Sequence, residues 1–113
     1  MFKLSRLLGG LVAAAALLGA TSALAQKKEI VIGLQCDRTG PTQTVGVFLC
    51  PGYHDYISLV NSKGGINGTP LRALEIDTEY KVPAAVEAYE RHKKEGAVLI
   101  GIYGTPQTQA LTQ

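Results

Sequence analysis

Along the chain, short apolar runs alternate with longer stretches in which apolar residues recur every three or four positions. Glu29 to Cys36, EIVIGLQC, is a run of β-branched and apolar residues closed by the polar DRTGPTQT, the pattern of a buried strand entering a loop. From Val45 to Lys63, Leu49, Tyr53, Tyr56 and Val60 fall on one face of an amphipathic helix that Gly64 and Gly65 end. Pro51 removes a backbone donor within it, which predicts either a kink or a helix beginning there. A tight Asn67-Gly68 turn then feeds a strand from Leu71 to Asp77. A second helix opens at Pro83, carries Glu87/Arg91 and Glu90/Lys94 pairs on a solvated face, and stops at Gly96. Ala97 to Tyr103, AVLIGIY, is a third strand, and Thr105-Pro106 reads as the N-cap and first turn of a third helix.

The order β-α-β-α-β is that of an α/β chain with a parallel sheet, because each crossover between parallel strands must be long enough to hold a helix. Ligands of open parallel sheets bind beyond the carboxyl ends of the strands. That rule selects two loops, Asp37 to Thr44 and Tyr103 to Gln107. In the second, a helix start offers unpaired amides suited to an anion, and Thr105 adds a hydroxyl that either caps the helix or faces a ligand. In the first, Arg38 either pairs with an acidic ligand or is solvated.

The N-terminus changes the length available for this fold. Lys3 and Arg6 precede the apolar run Leu7 to Ala20, and Ala23 and Ala25 form an A-x-A site, so residues 1–25 read as a secretory signal peptide cleaved after Ala25. The run is too short for a bilayer span of ~20 residues. The leader holds two of the 11 basic residues and none of the nine acidic ones, so the mature chain from Gln26 is formally neutral. Neutrality without a basic cluster, and with few aromatics, gives no electrostatic reason to expect nucleic acid or an anionic membrane as partner. Export also favours a disulfide between the two cysteines, Cys36 and Cys50, over two unpaired thiols.

Candidate chemistry narrows the picture further. The loop after the first strand has no G-x-G-x-x-G, and the chain has no G-x-x-x-x-G-K-[ST], which excludes the common phosphate cradles. Cys50 and His54 share a helix face, but a nucleophile needs an orienting third group, and structural zinc needs a fourth donor beyond these two and Cys36. His92, between Arg91 and Lys93, reads as part of a solvated face. Asp77 and Glu79 are two apart at a strand end, with nothing local to separate their acidities. No cofactor and no metal are expected, and no enzymatic reaction.

IVIGL, TGPTQTVG, YISLVNSKGGINGTPL and GIYGTPQTQA occur in an order that resembles the N-terminal segments of the periplasmic leucine/isoleucine/valine-binding proteins of ABC transporters, over the whole mature chain. The most specific pieces are Thr39-Gly40-Pro41 with Gly46, and Asn61 with Gly64-Gly65-Ile66 and Gly68. The resemblance implies a two-lobed binding protein that closes over a small ligand and delivers it to an inner-membrane ABC permease. Residues 26–113 then supply most of the N-terminal lobe, without hinge or second lobe, and binding little on their own. The same resemblance puts Gly104 and Thr105, with Tyr103 and Thr108 beside them, at the loop that takes a ligand carboxylate. It puts Val45 where the family often has a pocket aromatic, Asp37 and Arg38 where apolar residues are usual, and Val82 where an Asp normally precedes the proline. The family's type of disulfide uses a cysteine near the position of Gly104, so a Cys36–Cys50 bridge is a different staple. The expected ligand is an amino acid or other carboxylate; a ligand-sensing lobe of a receptor or regulatory protein is the alternative.

Overall fold

The computed structural model of the chain describes residues 28–113, so the leader and its cleavage site lie outside the described residues. Six elements follow one another: β1 Ile30–Cys36, α1 Gln43–Ser62, β2 Leu71–Asp77, α2 Val82–Lys94, β3 Leu99–Gly101 and α3 Thr105–Leu111. The strands form one parallel sheet in the order β2-β1-β3, with Ile30 opposite Leu71 and Ile32 opposite Leu99. β1 is therefore central, which is why IVIGLQC reads as a continuous rather than alternating run.

The two long helices cover opposite faces of β1. On one face Leu34 and Cys36 meet Cys50 of α1, with Ile32, Ile57 and Ala73 packed around them. On the other, Ala85, Ala88 and His92 of α2 are buried, and Gln35 donates from Nε2 to the Ala85 carbonyl at 2.9 Å. Successive β1 residues point to alternate faces, and that alternation divides the core.

Short polar devices fix the connections. Asn61 near the end of α1 donates to the Leu71 carbonyl and accepts from the Leu71 amide, both at 2.8 Å, pinning the helix to the first residue of β2. Between them Ile66 and Thr69 exchange backbone bonds at 2.8 and 2.9 Å across Asn67 and Gly68, both with positive φ, the conformation of the expected tight turn. At the other end of α1, a Cβ on Gly46 would stand 1.8 Å from the Asp37 carbonyl oxygen, so glycine is what lets the helix start lie against the end of β1.

Four expectations need correction. α1 begins at Gln43 and runs through Pro51, so the proline does not start it. The face of α1 against the sheet is Gly46, Cys50, His54, Ile57 and Asn61 rather than Leu49, Tyr53, Tyr56 and Val60; hydrophobic periodicity misses it because all its members but Ile57 are small or polar. Tyr53 and Tyr56 instead border an open apolar groove of about 370 Å³ with Ile32, Leu34, Ile57, Leu71, Leu99 and Gly101. His92 is fully buried, with neither ring nitrogen at hydrogen-bond geometry, because its side of α2 faces β1. Finally, β3 is three residues long, and Val98 and Leu99 are exposed: among the described residues it has β1 on one side and no strand on the other.

Candidate functional site

The carboxyl ends of β1, β2 and β3 lie side by side, so the loops that follow them meet at one edge of the sheet. Asp37, the first residue after β1, organises this edge. It is fully buried, and its carboxylate accepts from Thr42 Oγ1 at 2.7 Å, Thr78 Oγ1 at 2.8 Å and the Tyr80 amide at 2.8 Å. One side chain thus holds the loop after β1 to the loop after β2, and Thr42, the residue before α1, spends its hydroxyl here instead of capping the helix. Glu79 and Tyr80 adopt positive φ angles of 52° and 59°, a conformation that costs non-glycine residues energy and is held by this network.

The bonded turn directs Tyr80 toward the loop after β3. Its ring meets that of Tyr103 edge to face, with centroids 6.3 Å apart and planes at 63°. Together with Gly104, Thr105, Thr108 and Gln109 the two tyrosines line an open pocket of about 480 Å³. Gly104, not Thr105, is the N-cap of α3. Its φ is 103°, and a Cβ there would lie 2.1 Å from Gln107 Oε1 and 2.8 Å from Tyr80 Cε2. Thr105 is the first residue of the helix and its hydroxyl makes no cap, while Thr108 Oγ1 donates to the Gly104 carbonyl at 2.8 Å. Polar donors at Thr105 and an aromatic wall at Tyr80 and Tyr103 suit a small molecule with one polar and one apolar end.

Of the residues singled out in the sequence, Tyr103, Gly104, Thr105 and Thr108 come together here, whereas Val45 and Arg38 do not line the pocket. Val45 is half-exposed on the first turn of α1. Arg38 is turned to β2, where Nε and Nη2 donate to the two Glu75 carboxylate oxygens, the latter at 2.9 Å. Tyr80 and Asp37 were missed as site residues. Nothing local marks Tyr80, since its place depends on the turn that Asp37 holds from 43 residues away.

Cys36 and Cys50 are brought together as two free, fully buried thiols, with no bridge between them. Their sulfurs and a Glu75 carboxylate oxygen all lie within 4.8 Å of one another. His54 Nε2 stands 2.7 Å from Glu75 Oε2, completing a cluster with Arg38. Hydrogen bonding from Arg38 holds the Glu75 carboxyl below the usual carboxylate range, against the opposing pull of burial. Burial, and then the neighbouring Cys50, push the Cys36 thiol well up. Cys50 is fully buried and His54 Nε2 is engaged by Glu75 rather than by the thiol, which counts against the Cys50-His54 pair as a catalytic unit.

Comparison with known proteins places these features in context. The sequence profile described as periplasmic binding protein matches residues 29–113. No curated protein matches the chain. Among solved structures, the chain is similar to a fatty acid ABC transporter substrate-binding protein from Thermomonospora curvata, at 28% identity and a TM-score of 0.71 over 76% of this chain and 22% of that one. A protein described as an ABC transporter permease from the Pseudomonas fluorescens group is 33% identical, with a TM-score of 0.65 over 74% of this chain and 21% of that one. The branched-chain amino acid transporter substrate-binding protein of Streptococcus pneumoniae, solved with isoleucine, shares the fold at 20% identity and a TM-score of 0.67, over 74% of this chain and 24% of that one. The chain thus spans less than a quarter of the length of each of these structures.

Proposed function

This chain belongs to the periplasmic binding protein family, an extracytoplasmic family of solute-binding proteins, and from that premise we propose that it serves an ABC transporter as part of the N-terminal lobe of a substrate-binding subunit. In this reading residues 26–113 are lobe, residues 1–25 are an export signal cleaved after Ala25, and the assembled protein works in the periplasm with an inner-membrane permease. The open edge of β3, where Val98 and Leu99 are exposed, supports the placement within a larger lobe, since a further strand there would cover them.

The observation that carries the reading is the convergence of Tyr80, Tyr103, Gly104, Thr105 and Thr108 on one pocket at the carboxyl edge of a parallel sheet. The ligand is a small amino acid or other carboxylate. Its anionic end takes the Thr105 hydroxyl and the free amides of the first turn of α3, and its apolar part lies on the tyrosine pair. Binding is recognition without a reaction, and affinity for this lobe alone is weak because the pocket is open.

Weak binding is still visible in amide chemical shifts. When the chain is titrated with a panel of amino acids and short carboxylates, shift changes should cluster at Tyr80, Tyr103, Gly104, Thr105 and Thr108, and Thr105→Val should reduce them. Changes that map elsewhere, or none up to the solubility limit across the panel, would refute the site.

A further inference from the structure

We propose that Cys36, Cys50, Glu75 and His54 form a site for one thiophilic divalent cation of the zinc class, with Arg38 as its charge-balancing partner. The sequence supplies three of these donors, and the parallel pairing of β1 with β2 supplies the fourth. Cys36 ends β1, Cys50 and His54 lie one turn apart on α1, and Glu75 sits opposite Leu34 in β2. Three donor atoms from three elements lie within 4.8 Å of one another, His54 is bonded to the same carboxylate beside them, and all four are residue types that bind zinc.

The geometry is close to what such an ion requires. Zinc sits about 2.3 Å from thiolate sulfur and about 2.0–2.2 Å from imidazole nitrogen or carboxylate oxygen, so donor atoms of a tetrahedral site are roughly 3.3–3.8 Å apart. The two sulfurs and the Glu75 oxygen already lie within 4.8 Å of one another, and His54 Nε2 is in contact with the same carboxylate. Contraction of the three-donor set by up to about 1–1.5 Å brings it to tetrahedral spacing, and His54 would swing from Glu75 onto the ion as the fourth donor.

Charge fits as well. Two thiolates and one carboxylate around a divalent cation leave one negative charge, and the Arg38 guanidinium already bonded to Glu75 offsets it. An arginine holding a ligating carboxylate is the kind of outer partner that orients metal ligands. Thiolates select zinc-class ions over magnesium or calcium. The sulfurs are fully buried, but Arg38 and His54 are each 41% exposed on their side chains and Glu75 16%, so the ion enters past them. On binding, each thiol releases its proton to solvent and forms one metal–sulfur bond. A disulfide would remove both sulfur donors, so bridge and metal exclude one another. The ion would pin α1 to the sheet beside the loop that Asp37 organises.

The full chain, purified under nitrogen with both thiols reduced, is titrated with cobalt(II) as a spectroscopic stand-in. We expect saturation at one equivalent, with thiolate-to-cobalt charge transfer in the near ultraviolet and the visible bands of tetrahedral cobalt, all bleached by one equivalent of zinc. Cys50→Ser should abolish the charge-transfer band, and Glu75→Gln should weaken binding by about tenfold or more. Should Cys50→Ser fail to fold, the wild-type melting temperature serves instead, rising with zinc and not with magnesium. A cobalt spectrum of octahedral type without charge transfer, equal binding by Glu75→Gln, or closure of the pair to a disulfide in a glutathione redox buffer containing one equivalent of zinc would overturn the proposal.

Discussion

Replacing Asp37 tests how the ligand edge is held together. The carboxylate is fully buried and accepts three hydrogen bonds, from two threonine hydroxyls and one backbone amide. In Asp37→Ala the Thr78 hydroxyl loses its acceptor in a fully buried site, where an orphaned donor costs about 1–3 kcal/mol. Thr42 and Tyr80 are only partly buried, and water can replace their partner in part. The loss is therefore about 2–3 kcal/mol, a large share of the roughly 4–13 kcal/mol expected for a folded unit of this size. Asp37→Asn is the informative control. Its Oδ1 keeps the bonds to Thr78 and Tyr80, its Nδ2 donates to the Thr42 hydroxyl, and the cost falls to about 1 kcal/mol. Urea denaturation followed by circular dichroism measures both, with an unchanged slope on denaturant showing that the transitions are comparable. Losing the bond to Tyr80 should also free the strained turn at Glu79 and Tyr80 and move the Tyr103 ring signals. An alanine variant that loses under about 1 kcal/mol, or an asparagine variant as damaged as the alanine one, would show that the network does not hold the edge.

Two further predictions concern the core. Burial, partly offset by the nearby Leu74 carbonyl, pushes the pKa of His92 below its ordinary value of 6.5; the unfolded chain then binds more protons as pH falls below that value, so stability is full above it and declines on acidification. Denaturation midpoints at pH 7.5 and 5.5 should differ in the wild type by more than in His92→Leu, and equal differences would mean the imidazole takes up its proton as readily in the fold as in the unfolded chain. Gly46→Ala drives a methyl group into the Asp37 carbonyl at 1.8 Å, backbone that cannot give way. We expect at least about 2–3 kcal/mol of destabilisation by urea melt, against little change for Gly52→Ala, where nothing lies within 4 Å.

Local pattern in the sequence was enough for the order of elements, because strand runs, helical spacing and turn residues are set by neighbours in the chain. Leu71–Asp77 begins and ends where the apolar run does, and Asn67-Gly68 turns where its residue types require. The family also follows from residues that need no partner to be read. Long-range contacts decided the rest. Gly46, Cys50 and His54 carry no hydrophobic signal, yet they face the sheet since Gly46 alone permits that approach. His92 looks solvated between two cations until β1 is laid beneath it. Tyr80 joins Tyr103 only through Asp37, and Glu75 reaches the thiols only because β2 pairs with β1 in register. Each depends on two segments being brought together, some across dozens of residues, a cost in chain entropy that no single stretch reveals and that packing and hydrogen bonding in the folded sheet repay.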